Sequence, residues 1–261
     1  MNTDIQTIQS IQTLKSVRPI VATTVYDSIM AELADQAGMD LLLVGDSVGT
    51  TLLGFETTVH VTLEMMLHHT LAVSRAKTKA LLVSDVPYGY SHDAYGNIFE
   101  ACRQLIQAGA SAVKIEGGIS IAPTIKSLVD SGIPVLGHIG LLPQQIKNLG
   151  KYRKFGKTDV EAKALIEDAK ALEDAGCFAL IGEMIGSDVA KKISQSIEIP
   201  LIGIGSGNDC DGQILVSNDL LGLSTKDVPS FVHPFGDLSE NVIKSFQEYK
   251  SAVIERTYPN E

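Results

Sequence analysis

Residues 101–118 read ACRQLIQAGASAVKIEGG. Together with the residues from Tyr95 onward, the first part spaces its apolar side chains for one face of a helix and predicts a helix over 95–108. Gly109 then stops it, because glycine enters the left-handed conformation that ends helices without strain. The run 112–115 follows, apolar and without strict alternation, as a strand buried on both faces reads. Lys114 and Glu116 close it. They stand two apart, so their side chains leave the same side of the strand.

The same unit of helix, glycine, buried strand and polar strand end recurs in both directions. Apolar runs at 20–24, 41–44, 80–83, 112–115, 135–137, 178–181 and 201–204 alternate with amphipathic stretches at 27–37, 63–76, 95–108, 121–130, 159–175 and 187–197. Gly38, Gly109, Gly132 and Gly176 stand where helices give way to strands, and Ile133-Pro134 and Ile199-Pro200 open two of the strands. An eighth, weaker unit is expected around 220–223, with a helix over 240–254. Repeated βα units make a parallel sheet, and eight of them close into an α/β, TIM-type (β/α)8 barrel. An open doubly wound sheet is the rival arrangement. Ile5, Ile8, Ile11 and Leu14 recur at near-helical spacing, which predicts an N-terminal helix plugging the bottom of the barrel. No Pro/Gly/Ser linker divides the chain, so a single domain over 1–261 is expected.

Bulk properties agree. The 261 residues suit one such barrel, which takes roughly 250. With 44% hydrophobic and 20% charged residues the chain can build a full core. A net charge of −10 repels nucleic acid and anionic lipid, and 5% aromatics without tryptophan leaves little for stacking bases. Neither a membrane span nor a secretory start is read. Cys102, Cys177 and Cys210 have no zinc or disulfide spacing, which points to a reduced, cytoplasmic protein with buried thiols.

Polar residues collect just after the apolar runs: Asp46 and Ser47 after the second, Asp85 after the third, Lys114 and Glu116 at the fourth, His138 at the fifth, Glu183 at the sixth. In a barrel these positions form the C-terminal rim, where barrel active sites are built. Asp46, Asp85 and Glu116 come from adjacent strands. Carboxylates so close repel one another unless a cation lies between them, and hard oxygen ligands select magnesium or a similar ion. The bland alternative makes each acid a helix cap or a solvated loop residue. Lys114 is a fixed positive charge suited to the carboxylate of a small acid, or else one half of an ion pair with Glu116. Ser47 could donate to the same carboxylate, or simply cap a helix. His138, between Gly137 and Ile139-Gly140, has room for a ligand or is a satisfied core histidine. Glu183, with no cation near it in the sequence, is the candidate catalytic acid/base, with a structural carboxylate as the alternative. The segment 203–207 (GIGSG) reads as close backbone packing rather than a phosphate cradle, and 144–158, rich in lysine, as a lid or a solvated loop.

At these residues the chain resembles the ketopantoate hydroxymethyltransferases, a family of the phosphoenolpyruvate/isocitrate-lyase barrel superfamily. The likeness runs over about 11–249. It rests on Thr24-Val25-Tyr26-Asp27, the segments 44–49 (VGDSVG), 113–118 (VKIEGG) and 137–141 with Pro143-Gln144, then 199–207 and Asp211-Gly212-Gln213. The resemblance implies transfer of a hydroxymethyl group from methylenetetrahydrofolate, the reduced-folate co-substrate, to 3-methyl-2-oxobutanoate, a small 2-oxo acid. It implies magnesium on Asp46 and Asp85, with Glu116 direct or through water, and Asp85, Ser47, Lys114 and His138 around the keto acid. It further implies Glu183 as acid/base, a place in pantothenate and coenzyme A synthesis, and a homo-oligomer, commonly a decamer. Departures fall elsewhere: Leu142 and Gln145 replace the usual Thr and Ser, Met184-Ile185-Gly186 replaces Cys-Val-Pro, and Asn218 stands where His is typical. A magnesium-dependent carbon–carbon lyase or mutase of the superfamily is the competing reading, but the Lys-(Lys/Arg)-Cys-Gly loop of those enzymes is missing from the sequence. A non-catalytic binding barrel is the other alternative.

Overall fold

The computed structural model describes residues 5–225 and 228–259. The chain divides into two compact units, Met1–Ile214 and Leu215–Glu261. In the first, α1 (Ile8–Leu14) precedes β1 (Ile20–Thr24), and α2 (Ser28–Gln36) leads to β2 (Leu41–Val44). Then come α3 (Val48–Thr51), α4 (Leu63–Ser74), β3 (Leu81–Asp85), α5 (Tyr95–Gln107), β4 (Ala112–Glu116), α6 (Ala122–Asp130) and β5 (Val135–Gly140). The remainder is α7 (Ile146–Leu149), α8 (Asp159–Asp174), β6 (Ala179–Glu183), α9 (Ser187–Ser196), β7 (Leu201–Ile204) and β8 (Gly212–Leu215). The strands form a closed barrel in chain order, with β1 to β7 each paired in parallel with its successor. The Ile20 N–H donates to the Asp211 carbonyl at 2.9 Å where the ends of the sheet meet. The expected barrel is therefore the one observed, and the open sheet is not.

Seven strands lie where the apolar runs place them, several extended by the polar residues that follow. The eighth does not. Residues 220–223, read as a strand, instead end the one-turn helix α10 (Ser217–Leu220) and make its C-terminal turn. The true β8 reads Gly-Gln-Ile-Leu, too polar to register as an apolar run. Its glycine is a packing requirement: a Cβ on Gly212 would sit 2.5 Å from the Ile20 carbonyl oxygen. The second unit continues with α11 (Leu238–Ile254), which carries no buried residue and leaves Ile243, Phe246 and Ile254 exposed.

Two layers of core explain why the strands read as continuous apolar runs. Ile20, Leu41, Leu43, Leu81, Val83, Ala112, Leu136, Ala179, Ile181 and Ile202 share one buried cluster with Ile11 of α1. Their strand neighbours Leu42, Val44, Leu82, Val113, Ile115, Val135, Leu180 and Leu201 belong to a second cluster with the helices, including Ile98, Ile125, Leu172 and Ile193. Alternate residues of each strand thus fill the interior and the helix-facing surface. Ile11 is fully buried in the interior cluster, with Ile8 and Leu14 packed against it, so α1 caps the barrel as its spacing predicts; Ile5 stays exposed.

Candidate active site

The period of two that fills the interior also builds the site. Leu81 and Val83 face inward, so Asp85, two further on, does too; Ala112 brings Lys114 and Glu116, Leu136 brings His138, and Ala179 and Ile181 bring Glu183. The barrel interior is apolar in its lower layers and charged in its top layer. Asp85 pairs in register with Lys114, Glu116 with His138, and Gly140 with Glu183. A Cβ on Gly140, whose φ is 92°, would lie 2.2 Å from the Glu183 carbonyl oxygen, so only glycine lets β5 and β6 close at this level.

The side chains meet. Lys114 Nζ lies 2.9 Å from Asp85 Oδ1 and 3.5 Å from Glu116 Oε1. His138 Nδ1 lies 3.3 Å from Lys114 Nζ and 3.4 Å from Glu116 Oε1, and its Nε2 lies 3.3 Å from Glu183 Oε2. The Asp46 N–H donates to Asp85 Oδ2 at 3.2 Å. Asp46, Asp85, Lys114, Glu116 and His138 are all buried, while the Glu183 side chain keeps 18% of its surface open. Ser47 does not cap α3 with its side chain; its hydroxyl is 2.8 Å from that of buried Tyr26.

Charge in this buried layer is out of balance. Burial, with Asp85 and Glu116 beside it, pushes the Asp46 carboxyl well above the usual carboxylate range. Burial also lifts Asp85, outweighing Lys114. For Glu116 the order reverses: Lys114, His138 and the Gln144 N–H overcome burial and hold its pKa below the ordinary value. Lys114 is driven upward because Asp85, Glu116 and Asp46 outweigh its desolvation. Burial and Lys114 oppose an imidazolium at His138, yet Glu116 and Glu183 prevail and raise it to about 9.

All seven candidate residues therefore stand at one end of the barrel. Lys114 sits among the acids rather than apart from them, and Glu183 has the cationic partner that the sequence did not reveal. Among the described residues no three His, Cys, Asp or Glu side chains stand together as a metal-ligand set. Glu116 is turned toward Lys114 and His138, whereas Asp46 and Asp85 are adjacent, with Asp85 Oδ1 paired to the Lys114 ammonium at 2.9 Å and Asp85 Oδ2 accepting the Asp46 N–H. The donor chemistry fits a divalent cation on that pair, with the remaining positions left to water or ligand oxygens.

Sequence reading missed two contributors. Gln144, noted only within a resemblance and as the start of the lysine-rich segment, is buried and bonded to Asp46 and Glu116. Tyr152, half-exposed in the lysine-rich segment, has its hydroxyl pKa raised by burial and then by the charges of Glu183, Asp46 and Glu116. That segment is latched at Phe155, whose N–H donates to the Met184 carbonyl at 2.7 Å and whose carbonyl accepts from Gly186 at 2.9 Å. Met184, directly after Glu183, holds a left-handed φ of 50°, a conformation non-glycine residues rarely adopt. The 203–207 turn packs as expected: the Ser206 hydroxyl donates to the Gly182 carbonyl at 2.7 Å and accepts from the Ile185 N–H at 3.0 Å. All three cysteines are buried, and burial pushes Cys102 and Cys177 up to about 12 and Cys210 to about 11, so none is a ready nucleophile.

Comparison with known proteins matches residues 5–261 to a family model described as ketopantoate hydroxymethyltransferase. Similar relatives include the 3-methyl-2-oxobutanoate hydroxymethyltransferases of Nitrosopumilus maritimus (46% identical, covering 98% of this chain and 92% of that one) and Clostridium botulinum strain Loch Maree (46%, 98% and 94%). The Thermotoga neapolitana enzyme of that name is 43% identical, covering 97% of this chain and 94% of its own. Among solved structures, 2,3-dimethylmalate lyase of the PEP mutase/isocitrate lyase superfamily overlays with a TM-score of 0.61 at 16% identity, covering 97% of this chain and 89% of that one. Phosphonopyruvate hydrolase, solved with oxalate and Mg++, gives 0.62 at 14%, covering 95% and 98%. These structural likenesses concern the fold.

Proposed function

Because the chain belongs to the ketopantoate hydroxymethyltransferase family, we propose that this barrel mouth transfers a hydroxymethyl group to 3-methyl-2-oxobutanoate, forming ketopantoate for pantothenate synthesis. The observation that carries the reading is the convergence of Asp46, Asp85, Lys114, His138 and Glu183 in one buried layer that opens at Glu183.

The acceptor's carboxylate pairs with the Lys114 ammonium, which the surrounding carboxylates keep charged despite its burial, and Ser47 donates its hydroxyl, held by Tyr26. A magnesium ion on Asp46 and Asp85 would supply Lewis-acid polarisation of the keto acid. Glu183, the most open acid of the layer, takes the proton from C3 beside the ketone, and the His138 imidazolium, 3.3 Å away, steadies its carboxylate before the transfer. The electron pair left on C3 forms the new C–C bond to the one-carbon unit of methylenetetrahydrofolate. Both C–N bonds of the methylene bridge break, each folate nitrogen leaving with a proton; water, added to the one-carbon unit before the C–C bond forms, supplies the oxygen, which becomes the hydroxyl by taking the proton held on Glu183. Buried surroundings keep bulk water from quenching the carbanion. The lyase alternative lacks a thiol at the site, since every cysteine is buried and far from thiolate character. Among the described residues no helix is long and apolar enough to cross a membrane. A cytoplasmic homo-oligomer is part of this reading, supported by the exposed apolar side chains of α11.

The test is proton NMR in D2O. With 3-methyl-2-oxobutanoate and magnesium, the C3 proton should exchange; adding methylenetetrahydrofolate should yield ketopantoate; EDTA or Asp46→Asn should stop both. Exchange without product would assign another one-carbon donor. Failure to exchange with magnesium present would sink the reading.

A further inference from the structure

The chemistry above leaves the buried side-chain amide of Gln144 without a task. Gln144, which follows β5, reaches three other strand ends. Its Nε2 donates to Asp46 Oδ2 at 3.0 Å and to the Val86 carbonyl at 2.9 Å, and its backbone N–H donates to Glu116 Oε2 at 3.1 Å. Both side-chain partners are acceptors, so only the NH2 end of the amide can face them, and both of its hydrogens are used. The Val86 carbonyl is itself fixed, because the Val86 N–H donates to Lys114 O at 2.9 Å. One N–H of Gln144 is thereby anchored to backbone, and the other is aimed at a single oxygen of Asp46. Oδ2 is engaged, which sets the plane of the carboxylate and leaves Oδ1 for another partner. The backbone bond restrains Glu116 in the same way, against Lys114 and His138.

We propose that Gln144 is a positioning residue for the divalent cation: its side-chain amide orients the Asp46 carboxylate without contacting the ion. The inference rests on the reading that Asp46 and Asp85 hold magnesium. Hydrogen bonds that orient a ligand in this way typically account for about 10- to 100-fold in metal affinity. Gln144 also begins the segment that runs through Tyr152 to the Phe155 latch beside Glu183, so the residue that orients the cation's ligand is covalently continuous with the segment over the acid/base.

The experiment is isothermal titration of magnesium chloride alone into the wild-type chain, Gln144→Met and Gln144→Asn, at a temperature where circular dichroism shows each fully folded. Methionine keeps the volume and removes both donors; asparagine keeps the amide but draws it back from Asp46. Both variants should bind magnesium about 10- to 100-fold more weakly, and raising magnesium should recover much of the lost C3 proton exchange. A merely structural glutamine would lower the melting temperature of the variants and leave the magnesium affinity of the folded protein untouched, so wild-type affinity in either folded variant overturns the proposal while the metal reading stands. If the wild-type chain itself binds no magnesium, the metal reading fails first and takes the proposal with it.

Discussion

His138 Nε2 lies 3.3 Å from Glu183 Oε2, across the join between β5 and β6, while Nδ1 of the same ring lies 3.4 Å from Glu116. One imidazole thus stands between the acid that ends β4 and the acid that ends β6. Both carboxylates favour the imidazolium, which is why its pKa reaches about 9 despite burial and Lys114. The first prediction follows from the sign of that shift. A pKa raised above the ordinary 6.5 means that the charged ring stabilises the fold fully below about pH 6.5, and that this contribution fades as pH rises through about 9. An NMR titration of His138 in the metal-free protein should give a midpoint well above 6.5, and Glu183→Gln should lower it. A midpoint at or below 6.5 in the unsubstituted chain would contradict the geometry.

Glu183→Gln should reduce turnover by about 10²- to 10⁴-fold, the usual share of a general base. Lys114 and Ser47 are untouched, so keto-acid binding, followed by isothermal titration, should change little. A variant that loses binding and turnover together would make Glu183 a binding group instead.

Lys114→Met should destabilise the protein by about 3–5 kcal/mol, the usual effect of taking one partner from a buried ion pair. Asp85 and Glu116 would then share a buried layer without their ammonium. Magnesium should restore part of the melting temperature, since a cation can replace the missing charge. Stability equal to wild type in EDTA would show that the acids simply protonate.

Gly140→Ala tests the closure between β5 and β6. The added methyl meets the Glu183 carbonyl at 2.2 Å, at a φ that alanine adopts poorly. Activity should fall by more than tenfold, because a shift of about 1 Å in a catalytic group is enough for a loss of that size, and the melting temperature should fall too. Near-normal turnover would mean that the rim can shift without moving Glu183.

Ile11→Ala, at the opposite end of the barrel, should cost about 2–5 kcal/mol from the cavity left under the interior layer. It is fully buried and far in sequence from every rim residue. Denaturant unfolding should register the loss, with kcat and KM unchanged in the folded fraction.

The pattern of short apolar runs, glycine stops and amphipathic helices is local, and local signals determine elements. They located seven strands, the capping helix α1 and the period-two continuation of the interior into charged strand ends. The order of the elements then fixed which residues share the rim, because a parallel barrel in chain order puts every strand's C-terminal end on one face. β8 escaped because closure, and not burial, chose its residues: Gly212 is there to clear the Ile20 carbonyl, a contact between opposite ends of the unit. Lys114 among three acids, His138 beside Glu183 and Gln144 reaching Asp46 across 98 residues are of the same kind. They depend on how far the sheet curves and on which strand ends come within 3–4 Å, as hydrogen bonds and ion pairs require. Sequence placed the charges on one rim; only the closed barrel decided which of them touch.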